Sequence, residues 1–211
     1  DLTGSQFTNA YVSGGTVYPA IFAANGSPTK LYDVNRAVAL IRSDGGRAWG
    51  RITDVRDMAR FDIHVDSLSS PAVSNTSAIY WYMGAWGDLN GYPQAIGFHQ
   101  DRKFLGGIPK LPQQVDASVV GEYENYAGSG SSLIVADDNA IQRTLASAEK
   151  NPLFWFKSEA NGLLAGASDT EWKITPSNQA AALTPSNFNA AVTSHFGSHN
   201  ADAIQAGNAT L

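Results

Sequence analysis

The sequence predicts a mainly β protein, with a small antiparallel meander or barrel followed by propeller-like or sandwich-like antiparallel sheets. Short apolar segments recur at intervals of about ten residues, and Gly, Pro, Asn or Asp bounds each of them. Within several of these segments, apolar and polar residues alternate with the period of two that a half-buried strand requires. The 20 Gly residues supply turns between the segments. Together these features are typical of antiparallel sheets joined by tight turns.

The first predicted domain spans residues 1–75 and contains the meander. An apolar run at 37–41 ends at a hairpin-type turn, 44–46, with the sequence Asp-Gly-Gly. Two segments of alternating character, 47–55 and 60–65, follow this turn. A Ser-rich stretch around Pro71 then predicts the domain boundary. We therefore expect consecutive antiparallel strands that are either open or closed into a compact barrel.

The second predicted domain spans residues 76–211 and is a propeller-like β region. Its eight predicted strands lie at residues 78–83, 95–98, 103–105, 114–118, 140–145, 153–157, 163–167 and 171–174. Residues 140–150 and 187–194 are also compatible with short helices. The sequence has no clean internal repeat, and the 136 residues of this region supply only part of a propeller at ~40 residues per blade. We therefore do not expect a complete propeller.

The charge of the protein is low and uneven. Charged residues make up 16% of the sequence, against roughly 25% in typical soluble domains. Residues 1–75 are neutral overall, so the formal net charge of −5 belongs to residues 76–211. Low charge predicts faces that bury against other subunits, and the acidic second part argues against tight DNA binding.

Composition and motifs exclude several classes of site. With no Cys, the protein has no disulfide, thiolate zinc site, iron–sulfur cluster or Cys nucleophile. No apolar run approaches the ~18 residues that a membrane-spanning helix needs. Neither a G-x-S-x-G nucleophile elbow nor a Walker-type phosphate loop occurs. We therefore expect no enzyme activity, no cofactor, no bound metal and no membrane span.

Two groups of residues keep other functions open. Glu122 and Glu124 would share one face of a strand, and with Asp137 they are the candidates for a glycoside hydrolase-like enzyme. Aromatic residues crowd between Tyr80 and Phe98. Such a cluster favours a core or an interface, and it is also found in glycan- or peptide-binding modules.

Arg residues concentrate in the first predicted domain. Six of them fall within residues 36–60, on and around the predicted meander. Asp44, Asp54 and Asp57 are interleaved with them, which favours a solvated strand face. The alternative interpretation is a phosphate-facing patch. Its candidate members are Arg36, Arg42, Arg47, Arg51, Arg56 and Arg60.

Several short elements of the second predicted domain occur in the order found in one protein family. A Gly-Tyr-Pro turn leads through a strand to Arg102 and a Gly-Gly pair, and a Gly-Glu-Tyr-Glu-Asn turn follows. An Asp-Asp segment, a Leu-Leu strand and a Glu-Trp strand come next. The elements lie at residues 84–107, 112–115, 121–126, 137–141, 163–167, 171–174 and 183–185. In this order they resemble the tail nozzle proteins of short-tailed bacteriophages, also called tail tubular protein B, and related prophage tail proteins.

The resemblance implies a structural role rather than catalysis. Nozzle proteins form hexameric rings of β-rich subunits below the portal and adaptor, continue the DNA channel and support other tail parts. Implied partners are sister subunits, adaptor or tail proteins, and DNA that passes without sequence readout. The implied location is the virion tail, after assembly in the host cytoplasm. Family members are several times longer, so the resemblance implies either a piece of a longer protein or a distinct short relative.

Two turns gain expected roles within this resemblance. Gly91, Tyr92 and Pro93 would form a rigid turn, because Pro fixes its own φ and keeps the preceding residue extended. Gly106 and Gly107 would form a turn with positive φ after the strand that precedes them.

One ion pair is also expected. Arg102 would pair across the sheet with a carboxylate, and Asp137 and Asp138 are the candidate partners.

Overall fold

The described part of the protein, in the computed structural model, comprises residues 6–8, 12–13, 16–17, 20–22, 34–42, 47–57, 60–68, 78–88, 90–126, 128, 134–147, 150–201, 203–206 and 209–210. These residues form antiparallel strands and no helix. The predicted mainly β fold class is therefore confirmed.

The backbone forms two compact units, Asp1–Gly91 and Tyr92–Leu211. The predicted boundary at 75/76 lies before strand Ala78–Met83, whereas the structure includes this strand in the first unit. The reason is a long-range pairing, because Ala78–Met83 runs antiparallel to strand Ala37–Arg42. Such a pairing leaves no local signal in the sequence, so the Ser-rich stretch alone indicated an earlier boundary.

The first unit contains an open sheet. Its strands are β1 (Gln6–Thr8), β2 (Val12–Ser13), β3 (Thr16–Val17), β4 (Ala20–Phe22), β5 (Ala37–Arg42), β6 (Arg47–Asp57), β7 (Arg60–Leu68) and β8 (Ala78–Met83). Six of them follow the order β1-β4-β7-β6-β5-β8, and β2 pairs separately with β3. The consecutive neighbours β5, β6 and β7 confirm the meander. The sheet is open rather than closed into a barrel, with β1 and β8 at its edges.

A bulge interrupts the alternation that the sequence predicts for β6. Gly50 and Ile52 are buried while Arg51 is exposed, as alternation requires. Ile52 pairs with Ile63 and Asp54 with Asp62, which leaves Thr53 as an extra residue. Thr53 and Asp54 are therefore both exposed, because a β-bulge shifts every following side chain by one position.

The second unit contains two four-stranded sheets. Its strands are β9 (Ala95–His99), β10 (Arg102–Ile108), β11 (Leu111–Ala117), β12 (Ile141–Thr144), β13 (Leu153–Glu159), β14 (Gly162–Ala167), β15 (Glu171–Thr175), β16 (Asn189–Ser194), β17 (Gln205–Ala206) and β18 (Ala209–Thr210). β9 to β12 form one sheet in sequence order and β13 to β16 form the other, while β17 pairs with β18. Every strand predicted in this region is present. The helical alternatives are wrong, because both segments contain strands, β12 and β16.

One apolar core joins the two sheets of the second unit. Phe104 from the first sheet lies against Phe156 from the second, with ring centroids 6.2 Å apart. The buried members of this core come from both sheets and from the loops beside them: Ala95, Phe104, Val115, Ala117, Ile141, Leu145, Leu153, Phe156, Leu163, Ala165, Ala167, Trp172, Ile174 and Leu183. Each sheet has the strand number of a propeller blade, and the two sheets pack face to face.

Glycines on β9 and β10 let β13 approach closely. A Cβ built on Gly97 would lie 2.5 Å from the Cβ of Phe156, and one on Gly106 would lie 2.9 Å from its Cζ. Gly107 has φ 69° at a bulge, and a Cβ there would meet the carbonyl of Leu153. Gly106 and Gly107 thus lie inside β10 and not in the predicted turn, which comes after Ile108. These glycines are needed for sheet packing rather than for chain reversal.

We predict that Gly97→Ala lowers the free energy of unfolding by about 1–3 kcal/mol, the usual cost of overpacking a core. The added methyl group would overlap Phe156. Gly128→Ala is the matched control, because a Cβ at Gly128 meets no atom of the described residues within 4 Å. Urea unfolding of the two variants measures the difference. Equal midpoints would show that β9 moves away from β13 at no cost.

Candidate functional site

A strained hairpin turn joins β9 to β10 at the edge of the first sheet of the second unit. Both of its central residues have positive φ, 47° for Gln100 and 55° for Asp101. This geometry is that of a type I′ turn, which normally contains Asn or Gly. A left-handed conformation of a residue with a side chain costs on the order of 1 kcal/mol, so other contacts must hold it.

Three hydrogen bonds hold this turn. The side-chain oxygen Oε1 of Gln100 accepts from the backbone N–H of Leu183 at 2.7 Å. The carbonyl of Asp101 accepts from the N–H of Gly121 at 2.9 Å, and its Oδ1 accepts from the hydroxyl of Tyr123 at 2.6 Å. The carboxylate of Asp101 raises the pKa of Tyr123 through this bond, so the tyrosine stays a donor. The turn is therefore tied to two separate loops.

Arg102, which follows the turn, is the most deeply buried charged residue among those described, with 1% of its surface exposed. Its Nη1 donates to the carbonyls of Ser118 at 2.6 Å and Asn139 at 2.7 Å. Its Nη2 donates to the carbonyl of Asp137 at 2.7 Å. Burial lowers the pKa of Arg102, and the charge of Asp138 opposes this effect. The guanidinium therefore joins β10 to the end of β11 and to the loop before β12.

The predicted ion pair of Arg102 requires a correction. The structure brings Arg102 to the predicted segment, but it contacts the backbone of Asp137 rather than a side chain. Arg102 makes no ion pair with any carboxylate in the described part of the protein, and its Nε there has no hydrogen-bond partner. A guanidinium has five N–H groups in a rigid planar fork, so it can donate to several backbone carbonyls at once.

The loop after β11 folds back along β10. Ser118 Oγ accepts from the N–H of Lys103 at 3.0 Å, and the N–H of Ser118 donates to the carbonyl of Lys103 at 2.9 Å. Farther along the loop, Tyr126 donates to the same carbonyl at 3.4 Å. Burial raises the pKa of Tyr126 far above its ordinary value, so its hydroxyl also remains a donor. These contacts fix the loop that presents Tyr123.

The candidate catalytic carboxylates do not share a strand face. Glu122 and Glu124 lie in the irregular segment between β11 and β12. Glu122 accepts from the side chain of Asn125 at 2.6 Å, while Glu124 forms an ion pair with Lys103. Each carboxylate thus has its own partner. The sequence suggested a strand because its acidic and aromatic residues alternate, a pattern that a loop can also contain.

Three large apolar side chains form an exposed surface beside this turn. We call Ile96, Phe98 and Tyr123 the outer surface of β9. Their exposed fractions are 57%, 55% and 41%. Phe98 and Tyr123 meet edge to face, with ring centroids 5.5 Å apart at 85°. Alternation explains the surface, because Ala95 and Gly97 direct the other face of β9 into the core.

Sequence reasoning found only part of this surface. Phe98 belongs to the predicted aromatic stretch, and alternation within 95–99 also contains a signal for Ile96. Tyr123 was missed. It lies in a loop more than 20 residues after the turn that it contacts, and such a distant contact leaves no local pattern in the sequence. Within the same aromatic stretch, Tyr92 is 51% exposed and Trp86 is half-buried. The side chains of residues 80–82 lie outside the described part of the protein.

The structure places Gly91 in a turn. Its φ is 85°, and its N–H donates to the carbonyl of Gly87 at 2.7 Å. The side chain of Asn90 donates to the carbonyl of Ala85 at 2.8 Å. Tyr92 and Pro93 follow this turn and begin the second unit.

The candidate phosphate-facing patch is only partly described. Arg36 Nε donates to the carbonyl of Gly84 at 2.7 Å, and Arg51 is exposed on β6. The backbones of the other four lie on three neighbouring strands, Arg42 on β5, Arg47 and Arg56 on β6, and Arg60 on β7. Their side chains lie outside the described residues, so the patch stays a prediction.

Other binding chemistry finds little support in the described residues. No group of three or more His, Asp or Glu side chains there could hold a metal ion. Comparison of the sequence with protein-family models gives no match, and comparison with curated proteins gives none either. Functional inference therefore depends on the geometry above.

A half-buried histidine links the two sheets of the second unit. His99, the last residue of β9, contacts Ser158 on β13, with Nδ1 and Oγ 2.8 Å apart. Burial lowers the pKa of His99 below its ordinary value of 6.5. The neutral ring is therefore the form that the folded protein favours, and protonation opposes folding.

We predict that the free energy of unfolding falls as pH is lowered below about 6.5, because the unfolded protein then binds a proton that folded His99 resists. The contribution of His99 to this fall in unfolding free energy ends once the pH is below the pKa of His99 in the folded protein. Urea unfolding between pH 8 and pH 5 measures the slope, which His99→Gln should reduce. His195→Gln, at an exposed position, is the control. An unchanged slope in His99→Gln would contradict the prediction.

We also predict that Arg102→Lys lowers the free energy of unfolding by about 3 kcal/mol, since a single ammonium cannot satisfy three separated carbonyls in the interior. Lys110→Ala, in the exposed turn between β10 and β11, should change it by less than about 0.5 kcal/mol. Thermal or urea unfolding compares the two. Full stability of Arg102→Lys would show that the positive charge alone is sufficient.

Proposed function

We propose that the protein is a structural subunit of a bacteriophage tail, of the nozzle or tail tubular protein B type, which assembles with sister copies into a ring. The order of the resembling elements supports this proposal. Nearly all of these elements fall within the two sheets and loops of the second unit. The observation that contributes most to the proposal is the outer surface of β9.

This surface has the properties of an interface. Single exposed apolar residues are common on proteins, whereas a contiguous group of large ones marks an interaction site. β9 is also the edge strand of its sheet, and its five residues include neither Lys nor Pro, the residues that usually protect an edge. Low overall charge favours the same conclusion, because interface centres are depleted of charged residues.

A ring needs contacts between two different surfaces of neighbouring copies. In the proposed assembly the outer surface of β9 is one of these two surfaces, and the ring is hexameric as in the family that the sequence resembles. The expected further partners are adaptor and tail proteins. No helix among the described residues is long and apolar enough to cross a membrane.

The proposed ring encloses passing DNA without reading its sequence. The net charge of −5 belongs to residues 76–211, and like charge lets a polyanion slide where a basic lumen would hold it. The Arg36 to Arg60 cluster remains a candidate contact with phosphates. The corresponding location is the virion tail, assembled in the host cytoplasm.

We predict that the double substitution Ile96→Ser and Phe98→Ser weakens self-association at least about tenfold, because each large apolar residue that becomes buried contributes on the order of 1.5–3 kcal/mol. Sedimentation velocity over a concentration series measures the association. Phe196→Ser is the matched control, since Phe196 is 98% exposed and lies outside this surface. A wild-type protein that stays monomeric throughout the series would contradict the proposal.

The second candidate function is a glycan- or peptide-binding module. The exposed edge-to-face pair of Phe98 and Tyr123 favours it, because sugar rings and extended peptides stack on such aromatic side chains. A glycan array and a peptide library separate the two functions. Binding that is lost in Phe98→Ser and Tyr123→Ser, in a monomeric wild-type protein, would support the module. Absence of any bound ligand, together with self-association, would support the ring subunit.

A further inference from the structure

Trp155 lies across the outer face of the sheet formed by β13 to β16. Alternation places Phe156 in the core and Trp155 on the opposite face of β13. The cross-strand partner of Trp155 is Gly166 on β14, and the partner of Gly166 on β15 is Glu171. These three residues therefore form one row across three strands. The two sheets of the unit pack face to face, so this row lies on the other side from the outer surface of β9.

The indole ring of Trp155 stacks on Gly166 with one of its faces. A Cβ built on Gly166 would overlap the ring, closest to Cε2, and would lie 2.5 Å from Nε1. A point beside the ring edge would be nearer to Nε1 or Cζ2, the two atoms that flank Cε2 on that edge. The Cβ position is therefore above the ring plane, and only Gly leaves room for the ring to lie flat. Because the strand covers one face, the exposed part of this half-buried side chain includes the opposite face.

Charged side chains of both signs surround the ring. Lys157 and Lys173 lie on the same face of the sheet, because each of them pairs with Leu164 from one side. Nζ of Lys173 is 3.7 Å from the carboxylate of Glu159, and the second carboxylate nearby belongs to Glu171. Two ammonium groups and two carboxylates balance, so these residues give the face no net charge.

Polar groups beside the ring remain available to a ligand. Among the described residues, neither the indole N–H of Trp155 nor the ammonium group of Lys157 has a hydrogen-bond partner. Within the same residues the side chain of Glu171 accepts one hydrogen bond, from the hydroxyl of Ser198 at 3.2 Å. A carboxylate has about four acceptor positions, so most of those of Glu171 can still accept. Donors and acceptors therefore border a flat aromatic surface. We call Trp155, Lys157, Gly166, Glu171 and Lys173 the Trp155 face.

This composition fits a sugar better than a protein or a nucleic acid. The centres of protein interfaces are depleted of Lys and Glu, which here lie directly beside the ring. Binding of nucleic acid requires a surface of net positive charge, which the balanced side chains do not supply. A sugar ring has C–H groups that can meet the negative face of an indole, and its hydroxyls both donate and accept.

We propose that the Trp155 face is a binding site for neutral saccharides. A sugar ring stacks on the exposed face of the indole, while Lys157, Glu171 and the indole N–H of Trp155 hold its hydroxyls. Next to this site, Ala191 and Thr193 on β16 are exposed and small, so a longer saccharide can extend across the sheet. The site is separate from Phe98, and it does not depend on assembly into a ring.

An array of neutral and acidic oligosaccharides, probed with the full chain, tests the proposal. Calorimetry then gives the Kd of the neutral oligosaccharide that binds best. Trp155→Ala should weaken this binding at least about tenfold, because the stacking surface is lost. Trp86→Ala is the matched control, since Trp86 is also half-buried but lies in the first unit, and it should leave the Kd unchanged. Phe98→Ser should leave it unchanged as well.

Two further measurements decide the result if Trp155→Ala fails to fold. Glu171→Gln keeps the size of the side chain and removes its charge, and it should weaken binding at least about threefold. In the wild-type protein, titration with the same oligosaccharide should shift the NMR signal of the Trp155 indole N–H, which is assigned by its loss in Trp155→Phe. The signal of the Trp86 indole should not move.

Four outcomes would overturn the inference. One is an array on which no neutral oligosaccharide binds, and another is a folded Trp155→Ala variant with the wild-type Kd. The third is a titration that leaves the Trp155 indole signal in place. The fourth is loss of binding in Phe98→Ser, because the sugar would then occupy the outer surface of β9. Self-association is measured separately by sedimentation, so none of these outcomes decides for or against the proposed ring.

Discussion

The guanidinium of Arg102 and its three backbone carbonyls are the interaction on which the second unit depends. The acceptors lie 16, 35 and 37 residues farther along the sequence, so this one residue closes three long loops at one point. Burying a charge is costly unless its donors are satisfied, and charged hydrogen bonds are about twice as strong as neutral ones. The rigid fork of Arg therefore also sets the positions of the loops that supply the carbonyls.

The exposed features of the unit follow from this buried one. On one side of Arg102, the strained turn keeps its geometry in part because the loop after β11, which Arg102 holds at Ser118, hydrogen-bonds to Asp101. The same loop presents Tyr123 to Phe98. Farther along β10, Phe104 enters the core against Phe156. The surface proposed for assembly and the interior that packs the two sheets are thus connected through a few residues of one hairpin.

Local features of the fold could be predicted from the sequence, and non-local ones could not. The strands of the second unit were found because each is a short apolar segment between turn residues, a signal contained within a few positions. The place of β8 was not found, since only its pairing with β5 assigns it to the first unit. The sequence predicted a turn at Gly106 and Gly107, but Gly is required both where the backbone turns and where two strands pack closely. The residue type alone does not distinguish these two cases.

The candidate site shows the same division. Arg102 and the segment at 137–139 were identified together, yet a sequence displays side chains and not carbonyls, so the partner atoms were assigned to Asp137 or Asp138. Ile96 and Phe98 follow from alternation on β9, whereas Tyr123 joins them only through the fold of a distant loop.

The sequence order of the strands bears on how the protein acquires its structure during synthesis. In each sheet of the second unit every strand pairs with a neighbour in sequence, so most pairings close short loops at little entropic cost, the longest connection being the 23 residues between β11 and β12. The first unit differs, because β5 remains an unpaired edge on one side until β8 emerges some 36 residues later. Strand pairing in the second unit thus follows the order of synthesis, whereas the sheet of the first unit is completed only when β8 has been made.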